Sequence, residues 1–307
     1  MDSALRNANP IALGETSPDE GMAPPCQVMA PKTQTVPVVF ASPHSGRNYP
    51  RDFQAASRLD PLNLRRSEDA FVDRIFASAP DRGAPLLRAL FPRAYVDPNR
   101  EPLELDPSMF DDPLPHGANG VSPRVAAGLG TIARVVTSGE EIYGSKLALE
   151  DAMARIGELY HPYHRTLSGL IEATREKFGG CLLIDCHSMP SVGGPMDSDT
   201  GSERADMVLG DCHQRSCAPE ITRLAEQTLT SQGFVVNRNT PYAGGYTTLH
   251  YGAPAKGVHA LQIEINRALY MDEDRIIPGP GFDGLKGKID SLVEAITGID
   301  PKILAQP

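Results

Sequence analysis

Asp185 and His187 stand two residues apart at the polar end of the apolar run Cys181-Leu182-Leu183-Ile184. In an extended strand, residues two apart share a face. Both side chains then point the same way and need partners, because burying them unpaired is costly. Gln262, Glu264 and Asn266 repeat the pattern, with Leu261, Ile263 and Ile265 on the opposite face. Such a polar row faces either solvent, on an edge strand, or a site, and a carboxylate there has the reach and tunable pKa of a general base. His44 follows a third apolar run, from Val36 to Ala41, in a turn made by Pro43 and Gly46. Glu68 and Asp69 lie further on, where acidic residues can also simply complement a helix dipole. Together His44, His187 and either Glu68 or Asp69 make a two-histidine, one-carboxylate set. Catalytic zinc is held by three such ligands, with one position left for water. Arg93 and Arg100 flank the turn Asp97-Pro98-Asn99. Paired guanidinium forks suit bidentate recognition of a carboxylate, although a surface network with Asp97 and Glu101 would use the same residues.

These groups need elements to present them. The runs at 36–41, 180–188 and 258–265 read as buried strands, with shorter strands expected at 85–90, 94–96 and 234–236. A helix is expected from Ser67 as N-cap, with Phe71, Ile75 and Phe76 on its apolar stripe. Residues 140–178 have helical spacing that Pro162 should kink or split. Residues 219–231 and 282–296 read as further helices. Strands alternating with helices imply a parallel or mixed sheet covered on both faces, and strand ends in such sheets are where ligands bind. Residues 101–130, dense in Pro, Gly and Asp, form an irregular stretch of a length that is usually functional or mobile. Residues 191–206 read as a loop and 243–246 as a glycine-rich loop. Residues 1–35 lack periodicity and are expected to form a poorly ordered arm, with 36–307 as one folded domain.

The 307-residue chain carries a net charge of −10, with 40% apolar and 22% charged residues. That balance argues against a nucleic-acid partner, which would require a basic face. It leaves room for a small anionic substrate, since a local arginine cluster can reverse the potential in one cleft. No run approaches the roughly eighteen uninterrupted apolar residues of a membrane span, and no basic-then-apolar leader opens the chain. A cytoplasmic location without membrane contact is therefore expected. Five cysteines, odd in number and scattered, fit a reducing compartment. Cys212 and Cys217 could be half a metal clip, but no second cysteine pair follows. No G-x-S-x-G elbow supports a serine hydrolase, and Asp185-Cys186-His187-Ser188-Met189 breaks the D-x-H-x-D pattern of an arginase-like dimetal strand.

The segments SPHSGRNYP, SEDAFVDRIF, FPRAYVDPNR, LLIDCHSMP and GGYTTLHYGAPAKGVHALQIEINRALYMDE resemble successive blocks of the N-formylglutamate amidohydrolase family, over roughly residues 36–295. The resemblance implies a three-layer αβα sandwich around a mixed sheet, similar to zinc exopeptidases of the carboxypeptidase type. It implies hydrolysis of N-formyl-L-glutamate to formate and glutamate, a step of histidine breakdown. It makes His44 and His187 metal ligands, with Asp69 as the third, and Glu68 stays open as the alternative. One Zn²⁺ per chain is implied, or another divalent metal in its place. Glu264 matches the carboxylate that acts on the attacking water, and Asn99-Arg100 the pair that holds a substrate carboxylate, with Arg93 beside them. Thr247 and His250 are expected to complete the pocket, and Asp185 to orient a ligand histidine. Two alternatives remain at this level: an amidohydrolase for another N-acyl amino acid, or a non-catalytic metal-site protein that binds an acidic metabolite. The oligomeric state is not readable.

Overall fold

The computed structural model describes residues 24–305. Seven strands form one mixed sheet: β1 (Cys26–Met29), β2 (Val38–Ser42), β3 (Leu86–Ala89), β4 (Cys181–Met189), β5 (Met207–Gly210), β6 (Val236–Arg238) and β7 (Val258–Asn266). Their order across the sheet is β1-β3-β2-β4-β7-β5-β6. Strands β3, β2, β4 and β7 are parallel neighbours. β1 pairs antiparallel with β3, β5 antiparallel with β7, and β6 parallel with β5. The first 23 residues of the expected arm lie outside the described residues. Within the remainder of that arm, Cys26–Met29 forms an edge strand, because β3 would otherwise leave its outer row of peptide groups unpaired.

Helices cover both faces. The principal ones are α1 (Val72–Ile75), α2 (Leu149–Arg155), α3 (His161–Phe178), α4 (Pro219–Ser231), α5 (Tyr246–Tyr251) and α6 (Phe282–Thr297). On one face α1, α4 and α6 pack over Phe40, Leu182, Ile184, Leu261 and Ile263. On the other, α2 and α3 pack over Val39, Leu183 and Ala260. This is the αβα sandwich expected from the sequence. Among the described residues no helix is long and apolar enough to cross a membrane.

The two long central strands explain where the site sits. All nine residues of β4 and all nine of β7 are buried, so β7 is interior and not an edge strand with a wet face. Their side chains alternate. Leu182, Ile184 and Cys186, like Leu261, Ile263 and Ile265, stay in one apolar layer for the whole strand. The opposite row begins apolar, with Cys181, Leu183, Val258 and Ala260, and continues as Asp185 and His187 beside Gln262 and Glu264, which pair directly in register. One face of the sheet thus turns from core to site halfway along, toward the carboxyl ends of the parallel strands, where open α/β sheets place ligands.

Four expected elements differ, one being the helix expected over 140–178, which starts only at Leu149. Ser67 does not cap a helix: it closes a 3₁₀ turn (Arg65–Ser67), and helix α1 starts only at Val72. Between them Glu68 is extended and Phe71 adopts a left-handed φ of 68°. This loop is fastened instead to the His44 turn. Asp69 N donates to His44 O at 3.0 Å; Ser45 Oγ donates to Asp69 O and accepts from Asp73 N, each at 3.1 Å. Residues 94–96 form a turn and not a strand, with Tyr95 N and Val96 N both donating to Pro92 O. The strand expected at 234–236 is Val236–Arg238, two residues later. At Pro162 the helix continues but changes winding. A π-helical turn (Ile156–Tyr160) precedes it, and this wider winding accommodates the loss of the hydrogen bond to the preceding turn that Pro162, which has no N–H, cannot make.

Candidate active site

His44, Asp69 and His187 converge from three separate elements. Their ligand atoms lie within 4.8 Å of one another, and all three residues are buried. Asp69 Oδ2 is 2.9 Å from His187 Nδ1 and 3.3 Å from His44 Nδ1. The far nitrogen of each ring is taken: His44 Nε2 lies 2.8 Å from Asp97 Oδ1, and His187 Nε2 lies 3.0 Å from Asp185 Oδ2. Glu68 points elsewhere, its carboxylate gripped by both arms of Arg65 at 2.9 Å. Of the two carboxylates left open by the sequence, only Asp69 reaches the histidines.

The donor chemistry fits a metal ion. A neutral imidazole that donates from Nε2 to a carboxylate must present a lone pair at Nδ1. Two such lone pairs and one anionic oxygen repel unless positive charge sits among them, either as protons on the rings, which then hydrogen-bond to Asp69, or as a metal ion. Nitrogen, nitrogen and carboxylate oxygen, with carboxylates behind both rings, are what a transition-metal site of the zinc type uses.

Asp97 organises the other side. Its Oδ1 also accepts from Asn99 N at 2.8 Å, and its Oδ2 accepts from Arg93 Nη2 at 2.9 Å with Arg100 Nη2 at 3.5 Å. The network that reads from the sequence as a surface feature is therefore buried and backs His44. Arg267 does the same for Asp69, donating from Nη2 to Oδ1 at 3.1 Å and from Nε to Ser188 Oγ at 3.2 Å. Asn99 is held by its amide: Oδ1 accepts from Thr247 N at 2.8 Å, while Nδ2 lies 3.3 Å from His187 Nε2. Two glycines make room for this packing. A Cβ at Gly46 would overlap the Phe91 carbonyl, and one at Gly245 would overlap the Asn99 amide.

A cavity of about 320 Å³ opens over these groups, lined among others by His44, His187, Glu264, Arg93, Asn99 and Arg100. Glu264 sits opposite His187 in register, and its Oε1 accepts from Gln262 Nε2 at 2.8 Å. Gln262 Oε1 in turn accepts from Gly245 N at 2.7 Å. Burial pushes the Glu264 carboxyl up to about 7; the Asp69 charge adds to this, and His187, Arg93 and Arg267 pull against it. Burial would raise Asp69 and lower His187, but their mutual hydrogen bond and the surrounding charges win. Asp69 is held well below the usual carboxylate range, and His187 well above the usual imidazole range, with Asp185 its main support. Burial would also raise Asp97, which Arg100 and Arg93 hold well below that range.

Two residues expected in the pocket do not line it. Thr247 is buried and contributes its backbone N–H to Asn99, and His250 stacks on Tyr246 with ring centroids 4.8 Å apart. Both belong to α5, which follows Gly245; of its side chains Thr248 is the one that reaches the polar row, 3.5 Å from Asp185 Oδ2 and 3.4 Å from Gln262 Oε1. Asp97, Gln262 and Arg267 support the site in ways that residue type alone did not indicate. The one available signal was the even spacing of Gln262 with Glu264.

A polar cleft at the carboxyl ends of parallel strands, with a buried His-Asp-His cluster and a carboxylate poised near 7, has the parts of a hydrolytic active site. Comparison with known proteins places it more closely. Residues 36–271 match the N-formylglutamate amidohydrolase family. The chain is 30% identical over 251 residues to an N-formylglutamate deformylase of Pseudomonas aeruginosa, covering 80% of this chain and 86% of that protein. It is 28% identical over 241 residues to an N-formylglutamate deformylase of Pseudomonas putida, covering 78% and 83%. A crystal structure of N-formylglutamate amidohydrolase from Ralstonia eutropha superposes with a TM-score of 0.82 at 34% identity, covering 90% of this chain and 98% of that one. The chain belongs to the N-formylglutamate amidohydrolase family, and it is a hydrolase of an amide bond.

Proposed function

We propose that the protein hydrolyses N-formyl-L-glutamate to formate and L-glutamate, with one divalent metal ion, zinc by its donor type, held by His44, Asp69 and His187. The observation that carries this reading is the convergence of both Nδ1 atoms on Asp69 Oδ2, with His44, His187 and Glu264 lining one cavity. When bound, the metal supplies Lewis-acid polarisation of the formyl carbonyl and eases ionisation of water. Asp97 and Asp185 accept from the Nε2–H groups and so keep both Nδ1 lone pairs available. Glu264 takes the proton of the attacking water and delivers it to the amine nitrogen as the formyl C–N bond breaks; the water oxygen leaves in formate. Gln262 fixes Glu264 Oε1, which leaves Oε2 for that proton. Arg100, Asn99 and Arg93 hold a substrate carboxylate, turning binding into orientation.

The reading carries with it a cytoplasmic enzyme of histidine breakdown. Five cysteines, none in a disulfide, support a reducing compartment. Formate release from N-formyl-L-glutamate by the metal-loaded protein tests the proposal, run beside a panel of other N-acyl amino acids. Rapid turnover of N-formyl-L-glutamate is expected. A folded, metal-loaded protein that turns over another acyl compound far faster, or none at all, overturns it.

A further inference from the structure

Four arginines line the cavity: Arg93, Arg100, Arg124 and Arg267. Three are engaged. Arg93 pairs with Asp97, Arg267 with Asp69, and Arg100 donates to Leu129 O and Asn99 O. Arg124 is half-buried, and its guanidinium has no hydrogen bond or ion pair among the described residues. It comes from the irregular stretch 101–130, which the roles described above leave otherwise unexplained.

Its position is nonetheless built. Ser122 caps the short turn Pro123–Ala126, accepting from Val125 N at 3.0 Å, and its hydroxyl donates to Glu104. Arg124 O accepts from Leu129 N at 2.8 Å, and Leu129 O accepts from Arg100 Nε at 2.7 Å. Two hydrogen bonds through one residue therefore tie the backbone of Arg124 to the guanidinium of Arg100. The two cations feel each other: burial is the main cause that brings Arg100 down to about 10, with Asp97 opposing it and Arg124 assisting. Two neighbouring guanidiniums at a cleft wall, one without a counter-ion, form a site for an arriving anion. N-formyl-L-glutamate has two carboxylates, and Arg93, Asn99 and Arg100 account for one.

Resting on the reading given under Proposed function, we propose that Arg124 anchors the second, side-chain carboxylate. It thereby selects N-acyl amino acids with an acidic side chain over their uncharged counterparts. The test is the ratio of kcat/KM for N-formyl-L-glutamate to that for N-formyl-L-glutamine, which differ only in that terminal group. In Arg124→Gln the ratio should fall at least tenfold, mainly through KM for the acidic substrate, and Arg124→Lys should restore part of it. Melting temperature and metal content are read on the same preparations. A ratio within twofold of wild type, or an equal loss on both compounds, overturns the assignment and leaves Arg124 a solvated surface cation. If wild type turns over neither compound, the proposed reaction fails on its own. The same ratio, read from the dissociation constants of L-glutamate and L-glutamine, then still decides Arg124.

Discussion

Glu264 is buried and yet faces a cavity lined by two histidines and four guanidiniums, so its proton is finely balanced. The carboxyl sits at about 7, and a cation held by the neighbouring ligands can only move it lower. Its base form is lost as pH falls, so kcat/KM should drop on the acid side of a pKa at or below about 7. Glu264→Gln should lose roughly 10²–10⁴ in rate, keep its metal, and lack that acid limb. A glutamate that merely paired with Arg267 would instead lower the melting temperature when replaced and leave the rate per folded molecule within a few-fold; that result sinks the general-base role. Arg100 offers a different test, because Nε and Nη1 both reach backbone carbonyls and lysine cannot reproduce the fork. Arg100→Lys should lower kcat/KM by tenfold or more, about 1.4 kcal/mol. Wild-type turnover of N-formyl-glutamate and of its α-amide at equal rates would exclude carboxylate recognition there. At this scale the sequence was legible where side-chain type and strand parity both spoke, as at His187 and Glu264. It was silent on Asp69 against Glu68, because that choice depends on Arg65 claiming Glu68, a contact no spacing rule contains.

The elements divide along the same line. Strands β4 and β7 were readable because interior parallel strands must be continuously apolar on one face, and the few polar residues on the other then mark the site. The loop 68–71 was misread as helix because Phe71, Ile75 and Phe76 have helical spacing, while tertiary bonds to Ser45 and His44 hold the first of them left-handed. Helix α3 was legible, but its task was not. His164 lies 2.8 Å from Pro98 O through Nε2 and 2.9 Å from Tyr251 OH through Nδ1, so a neutral ring links the turn before Asn99-Arg100 to α5. Burial brings this imidazole down to about 4, below the 6.5 of an unfolded chain. Between those values the unfolded state binds more protons, so stability rises with pH across the window. The contribution is complete above about 6.5 and is lost as pH falls toward about 4, on the order of 3 kcal/mol in all. Urea unfolding at pH 7.5 and pH 5 should show a smaller acid loss in His164→Gln than in wild type, by about 2 kcal/mol. Equal losses in the two proteins would show that His164 is not the titrating group.

Across the whole molecule, the His-Asp-His cluster joins three pieces of chain: the turn after β2, the loop before α1 and the end of β4. Ala70 and Phe71 anchor the middle piece in the core, but Asp69 itself is positioned by bonds to Ser45, His44 and Arg267. An ion bound only by the native protein stabilises it by about 4 kcal/mol when free metal stands about a thousandfold above its dissociation constant. For a chain of this size each kcal/mol moves the melting temperature by roughly 2–4 °C. Stripping the metal with a chelator should then lower the melting temperature by roughly 10 °C. Elemental analysis should find about one transition-metal ion per wild-type chain, and none in His44→Ala or His187→Ala proteins that remain folded by circular dichroism. Those variants, already without metal, should melt at the same temperature with or without chelator. Full occupancy in both variants would remove the histidines as ligands. A wild-type protein that loses its ion and still melts unchanged would place the bound metal somewhere other than the junction of these three elements.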